Sequence, residues 1–438
     1  MRIAIVGAGI AGLAAAHDLA QAGHSVVIYE AAANAGGLAS GFRDERWDWP
    51  LERFYHHLFE TDTAIRALAD AIGYGDKLFF RRVTTAQWWN GRGYPVDGPL
   101  QLLRFPALPF HDRVRFGAAI AYLKYGLRDW RPLEQTTAAA WTQRWMGGTA
   151  YRAFMRPLLE GKFGPHAETV NMAWLWARFK ARSFKLGYFV GGFQGFVEAL
   201  LVQIQRAGVT VVLNTPITAL AALPDGGWQI TTAPDSGSST SGAQAFGAVI
   251  VTGSPALLSK LAPQLPPTYL GQLMQLRSMG AVVLTIALKQ RLLHQIYWLM
   301  PPKDQFPFLA LVEHTNFIEP EHYGGDHLIY CGDYLEPSHE YFHMTQDQLL
   351  ERFLPALKKI NPRFEPAWVR AAWLHREPYA QPIVTLNHSR NIPPLATPLR
   401  GLFWASMSQV YPWDRGTNFA VELGQRVAAE VIAFEVTK

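Results

Sequence analysis

Near its start the chain runs IVGAGIAGLAAAHDLAQAGHSVVIYE, residues 5–30, and no other stretch restricts the possible fold as severely. Residues 3–6 form a short apolar run that reads as a buried strand. Residues 11–20 read as a helix and residues 25–29 as a second strand, closed by Glu30. Between the first strand and the helix stand Gly7, Gly9 and Gly12, spaced G-x-G-x-x-G. The first glycine permits a tight turn and the second lets the backbone approach a pyrophosphate. The third lets helix and strand pack closely, while the helix N-terminus faces the phosphates. Glu30 is placed to accept from ribose hydroxyls, and an acid there favours a free 2'-hydroxyl over a 2'-phosphate. The order strand, glycines, helix, strand, acid predicts a Rossmann-type dinucleotide unit. A secretory leader is the poorer reading, because only Arg2 precedes the apolar run and the helix continues through His17 and Asp18 without a cleavage site.

Composition sets outer bounds. With 438 residues, 49% hydrophobic and 17% charged, the chain has room for two domains. Its apolar stretches are broken by charge well short of the roughly 18 residues a spanning helix needs. One cysteine, Cys331, excludes an intrachain disulfide and thiolate metal clusters, and fits a reducing, cytoplasmic compartment. The 14 histidines show no H-E-x-x-H or similar spacing, so no metal site is expected. A net charge of +5 without a long Lys/Arg run argues against nucleic acid as a partner. Nothing in the pattern speaks to oligomeric state.

After Glu30, AAANAGGLASGF carries a glycine pair, Gly36 and Gly37, that a plain nicotinamide unit does not require. It makes sense where the backbone passes a second part of a longer ligand. RWDWPLERFYHHLFETD follows, dense in aromatic and ionisable groups. Residues 100–133 are punctuated by proline, then helical from about Asp112, with six Lys/Arg against two Asp. An apolar helix flanked by Arg104, Arg113, Arg115, Lys124, Arg128 and Arg131 either docks peripherally on an anionic bilayer, on the inner face of a membrane, or packs on its own domain. A turn at Gly147-Gly148 and a further helix carry this helical lobe to about residue 183. Then Phe196, Val197, Leu200, Leu201 and Ile204 form a helical stripe closed by Gly208, before a strand at 209–213. The Ser/Gly-rich PDSGSSTSGAQA reads as a surface hairpin loop and AVIVTG as a buried strand. Residues 279–410 mix strands with one clear helix, 346–360. The end is a strand, a Pro/Gly loop and a helix from about Thr417.

Four separated segments, the N-terminal unit with its Gly-Gly pair, VGGFQGFVEAL…GVTVVLNTPITAL, AVIVTGSPALL and RGTNFAVELGQRVAAEVI, resemble the flavin-containing amine oxidase superfamily. AAWTQRWMGGTAYRAFMRPLLEGKFG and WLHREPYAQPIVTLNHSRNI are similar to its protoporphyrinogen-oxidase-like branch. The resemblance implies noncovalent FAD as cofactor. Glu30 would bind the adenosine ribose, the turn of Gly7, Gly9 and Gly12 would meet the pyrophosphate, Gly36, Gly37 and Leu38 would lie along the pyrophosphate and ribityl chain, and the Ile217 backbone would meet the adenine. Thr252 would be a further cofactor-binding residue. Gly416, Thr417, Asn418 and Phe419 would set helix-start amides against the flavin's pyrimidine edge, where a reduced flavin gathers negative charge. The chain departs from relatives in three places. Ala405-Ser406-Met407 stands where Ala-Gly-Asp is usual, leaving Gln409 or Asp414 to compensate. Val283 stands where amine oxidases proper carry a lysine, which argues against amine oxidation. Leu38 replaces an arginine after the glycine pair.

The expected fold is α/β. A discontinuous Rossmann-type FAD-binding domain (1–60, 190–270 and 395–438) accompanies a mixed-sheet substrate domain (61–189 and 271–394) that includes the helical lobe. The expected function is an FAD-dependent oxidoreductase taking hydride from a bulky, apolar or lipid-like small molecule. YHHLFETD supplies the alternative, since it resembles a stretch of UDP-galactopyranose mutases, with His57 at the shared histidine. Candidate active-site residues are Arg53, His56, His57, Tyr379, Tyr411 and Arg415. Adjacent histidines on a strand point to opposite faces, so one of His56 and His57 at most faces the flavin.

Overall fold

The computed structural model describes residues 1–233 and 243–436. Its first sheet is parallel and five-stranded, in the order Thr210–Val212, Ser25–Tyr29, Arg2–Val6, Ala248–Val251, Leu402–Trp404. Ile5 lies opposite Ile28 on one side and Ile250 on the other. Strands with both faces covered must be apolar at consecutive positions, and the two faces here bury different partners. Ile3, Ile5, Ile28 and Ile250 join Leu13, Phe196 and Val427 under the helices Ile10–Gln21, Gly192–Arg206 and Thr417–Val436. Ala4, Val6, Val27 and Val249 turn the other way, onto Trp228, Leu258 and Leu273.

The second sheet has seven strands and is mixed. Ser278–Leu288 lies second from one edge, antiparallel to the edge strand Val369–Pro382 and to His327–Leu335. The helix Gln346–Ile360, opened by a Thr345/Gln348 capping box, covers one face through Leu349, Phe353 and Leu357. At the far side Trp298–Met300 pairs in parallel with Thr85–Trp89, which pairs in turn with Arg92–Pro95. A separate three-stranded sheet sets Lys185–Phe189 between Leu58–Phe59 and Leu78–Arg82. The sequence reading missed the hairpin of Thr85–Trp89 and Arg92–Pro95, although its Asn90-Gly91 turn is a local signal, and the small sheet, whose strands lie far apart in the chain.

Helical segments run from Pro99 to Ala181, as expected for the lobe, and Gly147 breaks them at φ +92°. Phe105, Phe116, Leu123 and Trp174 pack with Met279, Ala281, Tyr334 and Ala380, so the lobe is seated on the end of the mixed sheet. Trp228–Thr232 and Ala243–Phe246 pair antiparallel on either side of the Ser/Gly-rich stretch. The hairpin loop expected there lies at residues 234–242, outside the described residues.

Candidate active site

The glycine turn begins where Gly7 donates its N–H to the Tyr29 carbonyl (2.8 Å) and adopts φ +107°, a region that favours glycine. A Cβ on Gly7 would sit 2.4 Å from Thr252 Oγ1, and one on Gly12 would sit 2.1 Å from the Gly7 carbonyl oxygen. Thr252 Oγ1 donates to the Val6 carbonyl (2.9 Å), so Thr252 backs the turn. Against this turn lies the second glycine loop. Gly36 N–H donates to the Ala8 carbonyl (2.8 Å), and a Cβ on Gly37 would approach Gly9 Cα to 3.2 Å. Leu38 follows in the short turn Gly37–Ala39, half-buried. The two glycine loops touch by their backbones and form a cradle that a diphosphate would fit, so the residues present fit a dinucleotide.

Glu30 follows the second strand. Its carboxylate accepts from Ala8 N–H (2.7 Å) and Ala32 N–H (2.9 Å). Each oxygen keeps a further lone pair for a ribose hydroxyl. Thr215 N–H donates to the Glu30 carbonyl (2.8 Å), which brings Ile217, at the start of Ile217–Ala222, beside the acid.

At the other end of the sheet, Gly416 precedes the helix Thr417–Val436. Ala420 N–H closes the first turn on the Gly416 carbonyl (3.0 Å), and the amides before it have no partner within the helix. The Asn418 side chain is committed to protein: Oδ1 accepts from Ile65 N–H (3.1 Å) and Nδ2 donates to Glu422 (2.9 Å). Phe419 stacks on Trp413 at 5.5 Å. Gln409 is likewise occupied. Its Oε1 accepts from Ser406 N–H (2.8 Å) while Nε2 donates to the Pro393 carbonyl (3.1 Å), bracing the loop after Leu402–Trp404. The Tyr379 hydroxyl bonds Ser406 Oγ (2.7 Å) and Ser408 Oγ (2.6 Å), which ties the mixed sheet to that same loop.

The loop's far end carries a charged centre. Asp414 accepts from Arg178 Nη1 (2.7 Å), Trp174 Nε1 (3.1 Å), Gln381 Nε2 (3.2 Å) and its neighbour's N–H, Arg415 (3.1 Å). Lys162 Nζ lies 3.8 Å from the same carboxylate and donates to Gln381 Oε1 (3.1 Å). Burial works to raise the Asp414 carboxyl, but Lys162, Arg178 and Arg415 overcome it and hold the group below its usual range. Burial also drives the Lys162 ammonium well below its ordinary value, against the pull of Asp414. Arg415 donates to the Ala380 carbonyl and the Tyr334 hydroxyl, and both Arg415 and Lys162 flank the Tyr334 ring. Tyr411 accepts from Asn171 Nδ2 (3.0 Å) and packs edge-on against Trp130 and His388; burial raises its hydroxyl.

The two histidines stand in irregular chain ahead of the strand Leu58–Phe59, which corrects the expectation that they alternate along a strand. No ladder holds this pair, because only two residues after it join the sheet. His56 Nδ1–H donates to the Phe54 carbonyl (2.5 Å), and His57 lies edge-on to Phe59 and Trp298. His57 Nδ1 is buried with no hydrogen-bond partner among the described residues. Enclosure lowers His56 to about 4, aided by Arg415; it lowers His57 to about 3, aided by Arg182, His56, Arg178 and Lys162. Just upstream, fully buried Glu52 accepts from the Tyr188 hydroxyl (2.6 Å) and Phe193 N–H (2.7 Å), and burial pushes it up to about 7.

Sequence reasoning named Arg415 and Asp414 in this centre but missed Lys162, Arg178, Gln381 and Tyr334. One signal was present: Arg178 interrupts a helix, Met172–Ala181, whose residues 172–177 are all buried.

Comparison with known proteins places these features. Residues 10–432 match the family of flavin containing amine oxidoreductases. A 15-cis-phytoene desaturase of Synechococcus elongatus is 28% identical over 156 residues, 33% of this chain and 32% of its own length. A hydroxysqualene dehydroxylase of Sinorhizobium fredii is 32% identical over 165 residues, 35% of this chain and 37% of its own. The chain thus spans about a third of the length of these relatives. Among solved structures, a protoporphyrinogen oxidase-like protein of Exiguobacterium sp. 255-15 has a TM-score of 0.76 at 18% identity, with 100% of this chain and 99% of that one covered. A reduced UDP-galactopyranose mutase gives 0.75 at 17%, with 99% and 95% covered. Likeness at that identity establishes a shared fold. With its family matched from residue 10 to residue 432, the chain belongs to the flavin containing amine oxidoreductases.

Proposed function

We propose that this chain holds FAD noncovalently and takes hydride from a bulky, largely apolar or lipid-like substrate, while bound peripherally at a membrane. The observation that carries the reading is the pair of glycine loops back to back, Gly9 against Gly37, with Glu30 at one end. A dinucleotide longer than a nicotinamide one has a use for the second loop. When bound, FAD supplies a two-electron hydride acceptor. In this reading residues 1–60, 190–270 and 395–438 form the flavin domain; residues 61–189 and 271–394 form the substrate domain. Amides of Gly416, Thr417, Asn418 and Phe419 face the flavin's pyrimidine edge, and His57, Tyr379, Tyr411 and Arg415 line the reacting side. Enclosure keeps His56 and His57 neutral near pH 7. They act there as hydrogen-bonding walls, and the positive charge comes from Arg415 and Arg178. The names of the desaturase and the dehydroxylase support a polyisoprenoid-like substrate.

A second reading has its own observation. The mutase shares the fold, and His57 keeps a buried, unpartnered Nδ1. Anaerobic mixing separates the two. Oxidised holoenzyme is expected to lose its visible flavin absorbance when given polyprenyl alcohols or their phosphates, and to need an acceptor for turnover. Turnover of a nucleotide sugar by dithionite-reduced enzyme alone, with no acceptor consumed, would sink the redox reading.

A further inference from the structure

The helical lobe buries one side of its longest helix and leaves the other bare. In Phe110–Ala121 and the turn Tyr122–Gly126 that continues it, Phe116 and Leu123 enter the lobe's core. On the opposite side Phe110, Val114, Ala118, Ala121, Tyr122 and Tyr125 recur at helical spacing, all exposed, Phe110 at 71% and Tyr125 at 72%. An amphipathic helix packed on its own domain has a polar outer face. This one is apolar on both.

The bare face does not stop at the helix. Arg113 Nη1 donates to the Leu103 carbonyl (2.6 Å), which brings exposed Leu103 to one end. Arg115 Nε donates to the Trp145 carbonyl (2.9 Å), setting exposed Trp145 alongside. Lys124 Nζ donates to the Arg182 carbonyl (2.6 Å) and lies 5.7 Å from the exposed Phe184 ring. The cations that stitch this surface therefore bond backbone carbonyls, which leaves their charge uncompensated. Residues 99–128 contain one carboxylate, Asp112, and it is buried beneath the helix. Arg104 and Arg128 add exposed charge at the two ends.

An exposed apolar stripe rimmed by cations, where the one exposed carboxylate nearby, Asp129, is paired with Arg131, matches one environment best, the headgroup layer of an anionic bilayer. A second copy of this face would meet it with like charge. Among the described residues no helix is long and apolar enough to cross a membrane, so the fitting geometry is a helix lying in the interface. We infer that the outer face of Phe110–Gly126, with Leu103, Trp145 and Phe184, docks the holoenzyme on an anionic lipid surface. The inference rests on the peripheral part of the proposed function and is independent of its flavin chemistry.

Flotation of the yellow holoenzyme with vesicles tests it. With equal parts phosphatidylcholine and phosphatidylglycerol at low salt, the protein is expected to float. With phosphatidylcholine alone, or at high salt, it is expected to stay at the bottom. Each basic group near the surface contributes about fivefold in binding, so Arg104→Glu with Arg128→Glu is expected to lower partitioning well over tenfold. Phe110→Ser with Tyr125→Ser is expected to lower it at least tenfold, with flavin content and thermal melting unchanged. Wild type that stays at the bottom with anionic vesicles overturns the inference. So does a Ser variant that floats like wild type, an assembly through this face in lipid-free solution, or capture of an acidic protein in preference to vesicles. Colourless protein that floats would overturn the flavin reading and leave this one standing.

Discussion

Glu30 does two things with one carboxylate. It closes the gap between the second strand and the glycine turn by accepting from Ala8 and Ala32 N–H, and it presents its remaining lone pairs where a ribose would lie. Charge-assisted hydrogen bonds of this kind contribute roughly 1.5–3 kcal/mol. Glu30→Ala is therefore expected to weaken FAD about ten- to a hundredfold, measured by titrating apoprotein with FAD. Glu30→Gln is expected to lie between, because one oxygen remains while the new amide faces an N–H donor. Affinities within twofold of wild type for both variants would remove Glu30 from the cofactor site.

At the scale of elements, the helix start proposed to face the flavin depends on how closely two helices pack. A Cβ on Gly424, in Thr417–Val436, would sit 2.3 Å from the Ala11 carbonyl oxygen in Ile10–Gln21 and 3.0 Å from Ala14 Cβ. Helix propensity favours Gly→Ala by about 1 kcal/mol. Overpacking costs about 1–3 kcal/mol, and here the obstacle is backbone that cannot rotate away. The clash is expected to win. Gly424→Ala should melt at a lower temperature and retain less flavin after gel filtration, because the two helices whose N-termini are proposed to border the cofactor are forced apart. A variant that melts higher than wild type, with full flavin, would show that the helices separate freely.

At the scale of the whole molecule, Asp414 is where three bodies meet: the lobe through Lys162, Trp174 and Arg178, the mixed sheet through Gln381, and the loop leading to the last helix through Arg415. Breaking a buried pair from one side leaves uncompensated charge and costs roughly 3–5 kcal/mol. Asp414→Asn is expected to lower the melting temperature at pH 7 and to loosen the lobe, seen as faster proteolysis between residues 99 and 181. The pH dependence has a definite sign. The folded carboxyl is held below its unfolded value of 3.8, so its stabilisation is present above that pH and is lost as pH falls through the folded value. The gap between wild type and variant should narrow as pH drops below about 4. A gap unchanged down to the acid transition would mean the carboxylate is not the link.

The dinucleotide unit was legible in the sequence because its constraints are local. Gly7 takes a positive φ in the turn, Gly12 answers to the Gly7 carbonyl five residues back, and Glu30 follows the very next strand, whereas the contacts of Gly7 with Thr252 and of Gly9 with Gly37 come from more distant chain. The helices Gln346–Ile360 and Thr417–Val436 were legible for the same reason, each announced by its own periodicity and its own start. The family resemblance added the pairing of chain ends that no local rule supplies. Tertiary structure alone decided that Thr85–Trp89 takes Trp298–Met300 as its parallel partner, and that the histidine pair lies outside any strand. It alone decided that Lys162, Arg178, Gln381 and Asp414 converge, and that Phe110 and Tyr125 stay bare while Phe116 and Leu123 are covered. Local sequence carries turn sterics and periodicity. Which apolar face is covered, and which buried cation shares a carboxylate, depends on surfaces brought together from hundreds of residues apart.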